Sequence, residues 1–428
     1  MAITFLHAAD IHLDSPLKGL ERYENAPVER MHLATRRALT RLINLAIDQR
    51  VDFVLIAGDL YDGDWRDYTT LQHLKRELGR LRDQRIPVIL IAGNHDAANK
   101  MTRDLRLPDN VRFLAHDRPE TFTLPDLDVA IHGQSFAKEA VTENLAVTYP
   151  AAVRGCVNIG LLHTGLGGAE GHERYAPCTL EDLRLRGYDY WALGHIHLRQ
   201  VPCQDPPVAF PGNMQGRHIR ESGPKGCLVV TIGSDRSCEP VFHRLDQVRW
   251  ERGRVELSEL DAESDLLGRV AETLDGLLAA EPDPDRLLAV RVILSGTTAL
   301  HDRLNADPER FVAEVRSLAT ERGGDRLWLE KIDVQTRPPR ALTVPEGPIE
   351  ELLDVVEQLR TDPGSLRAVV DDLGELKRKL PSELIHDPES PRLSDVEWLA
   401  TLLGQARPLL LDLLRKSQSG SADGRNGI

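Results

Sequence analysis

Residues 52–62, DFVLIAGDLYD, are the most informative part of the sequence for the fold. Its apolar run predicts a buried β-strand, and a glycine and an aspartate follow directly at the carboxyl end of that strand. Four other apolar runs end in polar residues in the same way, at Ile3 to Ala8, Pro87 to Ala92, Cys156 to Leu162 and Tyr188 to Leu193. Because ligands bind beyond the carboxyl ends of strands in open α/β sheets, we expect these polar residues to form one site.

Helical patterns lie between several of the predicted strands. Residues 29–49 and 69–81 carry apolar side chains at helical spacing. Strands that alternate with amphipathic helices are typical of a layered α/β fold. We therefore expect residues 1–245 to form one α/β domain that carries the site.

The composition changes after the Gly/Pro-rich passage 207–226, and we place a domain boundary near Arg244. Residues 246–340 alternate strand and helix patterns, which predicts a small α+β domain. Residues 349–416 predict a helical C-terminal region, and the Ser/Gly-rich residues 417–428 predict a disordered tail.

The charge is unevenly distributed along the chain. The formal net charge is −14, which by itself disfavours a nucleic-acid partner, because phosphate backbones are usually met by a surplus of Lys and Arg. Residues 1–243, however, carry 28 Lys and Arg against 31 Asp and Glu, and the remaining residues carry 25 against 36. The acidity therefore lies in the C-terminal part, and bound cations would neutralise several acids of the N-terminal part.

Localisation signals are missing from the sequence. No apolar run approaches the roughly 18 to 20 uncharged residues of a membrane helix, and the first ten residues lack the basic start of a signal peptide. The five cysteines include no C-x-x-C pair, which favours reduced thiols over disulfides or a thiolate zinc site. We expect a cytoplasmic protein without a membrane segment.

Five polar blocks follow the five predicted strands. They read DIH at residues 10–12, GDLYD at 58–62, GNHD at 93–96, His163 alone, and GHIH at 194–197. A pair of divalent ions about 3.5 to 4 Å apart needs imidazole and carboxylate donors from several loops. The sequence therefore predicts a site for two divalent metal ions. A donor set of His, Asp and Asn without cysteine thiolates favours manganese, iron or zinc with open coordination positions. Of these metals, we expect Mn2+.

Each block alone is weak evidence, because short motifs often occur by chance. Asp10 or Asp62 could simply cap turns, His163 could be a hydrogen-bonded core histidine, and His197 could lie on the surface. The joint occurrence of all five blocks, each after an apolar strand, favours the metal site over these structural readings.

The five blocks resemble the signature of the calcineurin-like metallophosphoesterases, which is D-x-H, G-D-x-x-D, G-N-H-[DE], H and G-H-x-H. The resemblance implies two sets of metal ligands that share Asp59. The first set is Asp10, His12, Asp59 and His197, and the second set is Asp59, Asn94, His163 and His195. His95 would contact the scissile phosphate and protonate the leaving oxygen, and Asp96 would orient its ring. The implied reaction is in-line attack on phosphorus by a hydroxide that the two cations activate.

Two longer stretches, AADIHLDSPL at residues 8–17 and NHDA at 94–97, resemble the SbcD-type DNA repair exonucleases and in particular their YhaO-like branch. Gly63 stands where protein phosphatases of the superfamily carry an arginine, which disfavours phosphoprotein hydrolysis. The resemblance implies a metal-dependent DNA nuclease, an exonuclease of repair or recombination, with residues 246–340 as its capping domain.

The resemblance also implies partners. Residues 349–416 occupy the position at which relatives bind an SMC-like coiled-coil ATPase of the SbcC type. Relatives commonly form homodimers, although no stretch of this sequence identifies a dimer interface. Two other functions stay open at this point: a phosphodiesterase for a cyclic nucleotide or another small diester, and a noncatalytic scaffold with the same fold. The separate second domain disfavours the former, and the complete ligand set disfavours the latter.

Overall fold

In the computed structural model, which describes residues 2–15, 25–62, 68–98, 107–167, 175–258, 260–339, 348–374 and 395–404, two six-stranded β-sheets underlie the predicted site. The strands of these sheets are β1 (Ile3–Ala8), β2 (Phe53–Ala57), β3 (Val88–Ile91), β4 (Val111–Phe113), β5 (Glu120–Leu124), β6 (Val129–Gly133), β7 (Val157–His163), β8 (Tyr190–Gly194), β9 (Gln200–Gln204), β10 (Pro207–Phe210), β11 (Gly226–Ile232) and β12 (Cys238–Arg244). The first sheet has the order β12-β11-β1-β2-β3-β4, and the second has the order β5-β6-β7-β8-β10-β9.

Both sheets have a parallel centre, with antiparallel strands at one side of the first sheet and at both edges of the second. Strands β1 to β4 run parallel, and β11 and β12 are added in antiparallel fashion beside β1. Strands β6, β7, β8 and β10 run parallel, with β5 and β9 antiparallel at the two edges. The parallel strands therefore present their carboxyl ends together, where a ligand site can form.

Alternation of side chains along the strands buries both faces of the first sheet. In β2, Phe53 and Leu55 pack in the apolar layer that includes residues of β7 and β8, whereas Val54 and Ile56 pack in a second layer that includes residues of the helices. Strands buried on both faces read as continuous apolar runs, which is why the sequence revealed them. Phe5 and Phe53 stack in the first layer with ring centroids 4.9 Å apart.

Short and long helices connect these strands. They are α1 (Val28–His32), α2 (Ala34–Asp48), α3 (Tyr68–Asp83), α4 (Asn94–Ala98) and α5 (Leu180–Arg184). Helix α2 buries Ala34, Ala38, Leu42 and Ala46, which lie four residues apart on one face. The helical stretch predicted at 29–49 is thus divided into two helices at Leu33, and the stretch predicted at 69–81 lies within α3.

Three further strands and three helices follow β12: β13 (Val248–Glu256), α6 (Glu263–Ala280), β14 (Leu287–Thr297), α7 (His301–Ala306), α8 (Pro308–Gly323) and β15 (Leu327–Arg337). The strands form one sheet in the order β13-β14-β15. The predicted succession of strand and helix is therefore present, with α7 as an additional helix. The helices α9 (Pro348–Thr361) and α10 (Pro363–Asp372) come next, and residues 396–404 are also helical.

The predicted fold class is confirmed: layered α/β sheets, a following α+β segment and a helical C-terminal part. The chain divides into two compact units. One comprises Met1–Arg252, Leu278–Arg291 and Gly323–Glu330, and the other comprises Gly253–Leu277, Val292–Arg322 and Lys331–Ile428. The domain boundaries expected from the sequence stay a prediction, and the expected tail at 417–428 lies outside the described residues.

Candidate metal centre

Backbone strain marks the ends of the strands that carry the predicted ligands. Asp10, His12 and Asp59 have φ values of 49°, 44° and 53°, in the left-handed region that residues other than glycine rarely adopt, and His195 has a φ of 100°. Such strain persists only where the surroundings enforce it, and it is concentrated at functional sites. Here it turns four predicted ligands at the same edge of the two sheets.

Gly93 allows two of the strand ends to approach one another closely. A Cβ atom at this position would lie 2.8 Å from the Asp59 backbone nitrogen and 2.8 Å from His163 Cε1, and would lie closer still to Asp59 Oδ1. Gly58 also requires glycine, because its φ is +90° and a Cβ would lie 2.9 Å from the Gly93 nitrogen. The two glycines therefore bring the ends of β2, β3 and β7 together.

The first group of donors consists of Asp10, His12 and His197, whose candidate ligand atoms all lie within 4.8 Å of one another. The Nε2 atoms of His12 and His197 are 3.1 Å apart, and His197 Nε2 is 3.9 Å from Asp10 Oδ1. This is the first ligand set expected from the sequence, apart from the shared Asp59. Asp59 Oδ2 lies 3.9 Å from His12 Nε2, close enough to contribute to it.

The second group forms around His163. Its Nε2 atom is 3.0 Å from Asn94 Oδ1 and 3.5 Å from Asp59 Oδ2, and Asp10 and Asp59 form a second compact group of donors with it. Asp59 thus lies between the two groups, as a bridging carboxylate must. The ring of His195 lies edge-on to that of His163 at 5.1 Å, and its backbone nitrogen donates to Asp10 at 3.1 Å.

The tautomers of three histidines test whether the site suits cations. His12 Nδ1 lies against the carboxylate of Asp62, His197 Nδ1 against that of Glu221, and His163 Nδ1 lies 2.9 Å from the carbonyl oxygen of Ala57. These oxygens accept hydrogen bonds, so each Nδ1 carries the hydrogen and each Nε2 presents a lone pair. The three Nε2 lone pairs face one another and oxygen acceptors inside a buried cluster. Divalent cations would satisfy all of them, and the residues present fit two such ions.

Burial keeps the imidazoles of His12 and His163 neutral. It lowers the pKa of His12 and the pKa of His163 to about 3, and neutral imidazole is the form that binds metal ions. Burial also raises the pKa of Asp59 to about 7 and, with the nearby charge of Asp59, raises the pKa of Asp10. Buried acids in contact are costly to ionise without a compensating positive charge. The electrostatics of the cluster therefore favour bound cations, in agreement with its geometry.

His95 is more exposed than the ligand cluster, with 42% of its side chain accessible to solvent. Its Nδ1 atom is 3.2 Å from Asp62 Oδ1, so Asp62 contacts both this ring and that of the ligand His12. The Asp96 carboxylate, which we expected to orient His95, accepts hydrogen bonds from the backbone nitrogens of Leu60, Tyr61 and Gly93 at 3.0 to 3.1 Å. Asp96 thereby ties two strand ends together, and its action on His95 stays a prediction.

Two charged residues near the ligands were missed in the sequence. Glu221 lies on His197, and Arg217 contacts both Glu221 and Asp62. They belong to the Gly/Pro-rich passage 207–226, which precedes the predicted domain boundary near Arg244, and they do not directly follow a strand. The only sequence signal is a basic and an acidic residue four positions apart, which is too common to single them out.

The comparisons with known proteins identify the family of the chain. Residues 3–199, which include every predicted ligand, match the Calcineurin-like phosphoesterase family, and residues 250–337 match the family described as "Metallophosphoesterase YhaO, middle domain". The chain is 38% identical over 349 residues to the uncharacterized metallophosphoesterase YhaO of Bacillus subtilis (strain 168), a match that covers 80% of this chain and 84% of that relative. The chain belongs to the calcineurin-like metallophosphoesterases. It is thus a metal-binding hydrolase of phosphoesters and fits the YhaO/SbcD-like branch of the family.

Two more distant relatives are both named DNA double-strand break repair protein Mre11. The protein of Sulfurisphaera tokodaii is 31% identical over 205 residues, which cover 46% of this chain and 49% of that one. The protein of Methanopyrus kandleri is 25% identical over 356 residues, which cover 76% of this chain and 69% of that one.

Among the described residues, no helix is long and apolar enough to cross a membrane.

Proposed function

We propose that this metallophosphoesterase is a DNA phosphodiesterase, and more narrowly an exonuclease of DNA repair or recombination. The observation that carries the proposal is the half-exposed His95, paired with Asp62, beside a buried cluster of ligands for two divalent ions. A proton donor at the open side of such a cluster suits a phosphodiester that approaches from solvent. The relatives named DNA double-strand break repair protein Mre11 support DNA as that diester.

The residues of the chain divide the chemistry between them. Two bound cations would polarise the phosphoryl oxygens and lower the pKa of the attacking water. The Nε2 atom of His95 is the group that would reach the leaving oxygen, because Asp62 occupies Nδ1. Asp62 also fixes the ring of His12, so one carboxylate positions a ligand and the proton donor together. No covalent intermediate with the chain is needed.

A cleavage assay tests the proposal. End-labelled duplex and single-stranded DNA are incubated with Mn2+ or Mg2+, next to the small diester bis-p-nitrophenyl phosphate, with wild type and with His95→Ala. We expect metal-dependent DNA cleavage that His95→Ala reduces by about 10²- to 10⁴-fold, the usual contribution of a general acid. Cleavage of the small diester alone, with DNA left intact, would contradict the assignment to DNA and favour a small-substrate phosphodiesterase.

We also propose that the helical C-terminal part docks a coiled-coil ATPase of the SMC type. The described helices of this part are α9, α10 and residues 396–404. Val355 and Leu402 expose 50% and 43% of their surface, and apolar side chains on helices are the usual anchors for a partner helix. Co-elution of this chain with the ATPase on gel filtration, abolished by Val355→Glu together with Leu402→Glu, is the expected result. Undiminished co-elution of the double variant would contradict it.

A further inference from the structure

One loop closes around the backbone of His197. We call residues 212–225 the clamp loop. Gly212 has a φ of +77°, and a Cβ there would lie 2.8 Å from the carbonyl oxygen of His197, so only glycine allows this approach. At the other end of the loop, the buried Lys225 donates from Nζ to the same carbonyl oxygen at 2.8 Å. The loop therefore fixes the main chain of a predicted ligand at two points.

Glu221 of the clamp loop fixes the side chain of the same ligand. Its Oε1 atom accepts from His197 Nδ1 at 2.7 Å. Its Oε2 atom accepts from Asn213 Nδ2 at 2.9 Å and from the backbone nitrogen of Arg217 at 2.8 Å. Only 7% of Glu221 is exposed, so the carboxylate has little freedom to leave the imidazole. A carboxylate held in this way keeps the ring in one orientation and increases the basicity of Nε2.

Arg217 connects the carboxylate of Glu221 with the carboxylate of Asp62, which supports the imidazole of His12. One of its terminal nitrogens lies 3.1 Å from Glu221 Oε1, and the other lies 3.2 Å from Asp62 Oδ2. Asp62 and Glu221 hold the Nδ1 atoms of His12 and His197 respectively. A single planar guanidinium thus connects the supports of both imidazoles, which the point charge of a lysine could not do equally well.

We propose that Arg217 and Glu221 are positioning residues for the first divalent cation, the one held by Asp10, His12 and His197. They keep two imidazole lone pairs directed at one point, and they thereby set the affinity of this position independently of the position at His163. The inference rests on the two-metal centre of the proposed function, and it does not depend on DNA as the substrate.

The clamp loop is also held by contacts that do not involve Arg217 or Glu221. Loss of either side chain is therefore not expected to displace the loop as a whole. The Gln215 side chain accepts from the backbone nitrogens of Gln247 and Val248 at 2.7 and 3.2 Å. Trp250 Nε1 donates to the carbonyl oxygen of Gly216 at 3.0 Å. We therefore expect the loop to stay in place when the charge of Glu221 is removed by the isosteric change to glutamine.

The test is a Mn2+ titration of the full chain by isothermal calorimetry, for wild type, Glu221→Gln and Arg217→Lys. Glu77→Gln is the matched control, since Glu77 is a similarly buried glutamate whose ion pairs are with Arg76 and Arg80 of α3. We expect Glu221→Gln to weaken binding of one of two ions by about 10- to 100-fold, the usual effect of losing a support behind a metal ligand. Arg217→Lys should weaken the binding of the same ion. The second ion should bind to both variants as it does to wild type.

Thermal unfolding of the metal-free proteins separates positioning from folding. The proposal predicts that Glu221→Gln and Glu77→Gln unfold at similar temperatures while only the former loses metal affinity. Unchanged Kd values for both ions in both clamp-loop variants would overturn the inference alone. A wild-type chain that binds no divalent ion would overturn the inference together with the metal centre. If Glu221→Gln does not fold, the same comparison of metal affinity and unfolding temperature is made with Arg217→Lys.

Discussion

Gly93→Ala is expected to disable the metal centre by displacing two of its predicted ligands, His163 and Asp59. The added Cβ would lie 2.8 Å from His163 Cε1, whereas ordinary van der Waals contact begins at 3.4 Å. The difference, 3.4 − 2.8 = 0.6 Å, is the distance by which the imidazole must recede, and Asp59 Oδ1 must move further. Metal sites tolerate ligand shifts of about 0.2 Å. The variant should therefore lose the ion at His163. Because Asp59 is shared, the other ion should also bind more weakly.

The effect on turnover follows from the same displacement. A misplacement of about 1 Å in a catalytic constellation can reduce the rate about 100-fold, and overpacking a rigid core costs about 1 to 3 kcal/mol. We expect hydrolysis of bis-p-nitrophenyl phosphate to fall by about 100-fold or more. Metal content after gel filtration, measured by plasma mass spectrometry, should fall from two ions per chain to one or none.

Gly79→Ala is the control for this prediction. Gly79 lies within α3, and a Cβ there meets no atom within 4 Å. Alanine should therefore leave metal content and turnover unchanged and stabilise the helix by up to about 1 kcal/mol. A Gly93→Ala protein that binds two ions with wild-type affinity and retains turnover within twofold would show that this position does not require glycine.

Other predictions concern single side chains. His95→Ala should keep both metal ions and lose turnover, whereas Asp59→Ala should lose metal ions as well, because Asp59 lies within 3.5 to 3.9 Å of an imidazole from each group; equal metal loss in both variants, measured by calorimetry, would contradict this division of roles. Burial lowers the pKa of His7 from 6.5 to about 3, so the unfolded chain takes up a proton that the folded chain refuses as pH falls below 6.5. Between pH 7.5 and pH 5 this linkage should remove about 2 kcal/mol of stability. His7→Gln should lack that part of the pH dependence in urea unfolding, and identical pH slopes for wild type and variant would rule out a neutral His7.

The sequence was most informative where strands are buried on both faces. All five strands predicted from apolar runs are present within two residues of their expected ends, because continuous burial leaves no polar interruptions. The edge strands β4 and β5 were missed. In β5 exposed and partly buried residues alternate, and β4 has only three residues. Helix α2 begins at Ala34 without a capping side chain, so no local signal marked the division at Leu33.

Prediction of the site residues from the sequence had a similar limit. Ligands that directly follow a strand could be predicted, because the strand fixes where the chain emerges. The partner of His95 could not, because Asp62 reaches its ring across a loop, and the neighbouring acid Asp96 is engaged by backbone nitrogens. Glu221 was missed because its contact with His197 depends on how the clamp loop folds back, and local periodicity does not report contacts of that kind.

A Mn2+ titration followed by electron paramagnetic resonance would show whether Asp59 bridges two divalent ions at the ends of β1, β2, β3, β7 and β8. We expect two ions per chain at saturation and a signal of spin-coupled Mn2+ pairs, which Asp59→Ala abolishes. A single uncoupled ion at saturation, or a coupled pair that persists without the Asp59 carboxylate, would contradict the bridging role of Asp59.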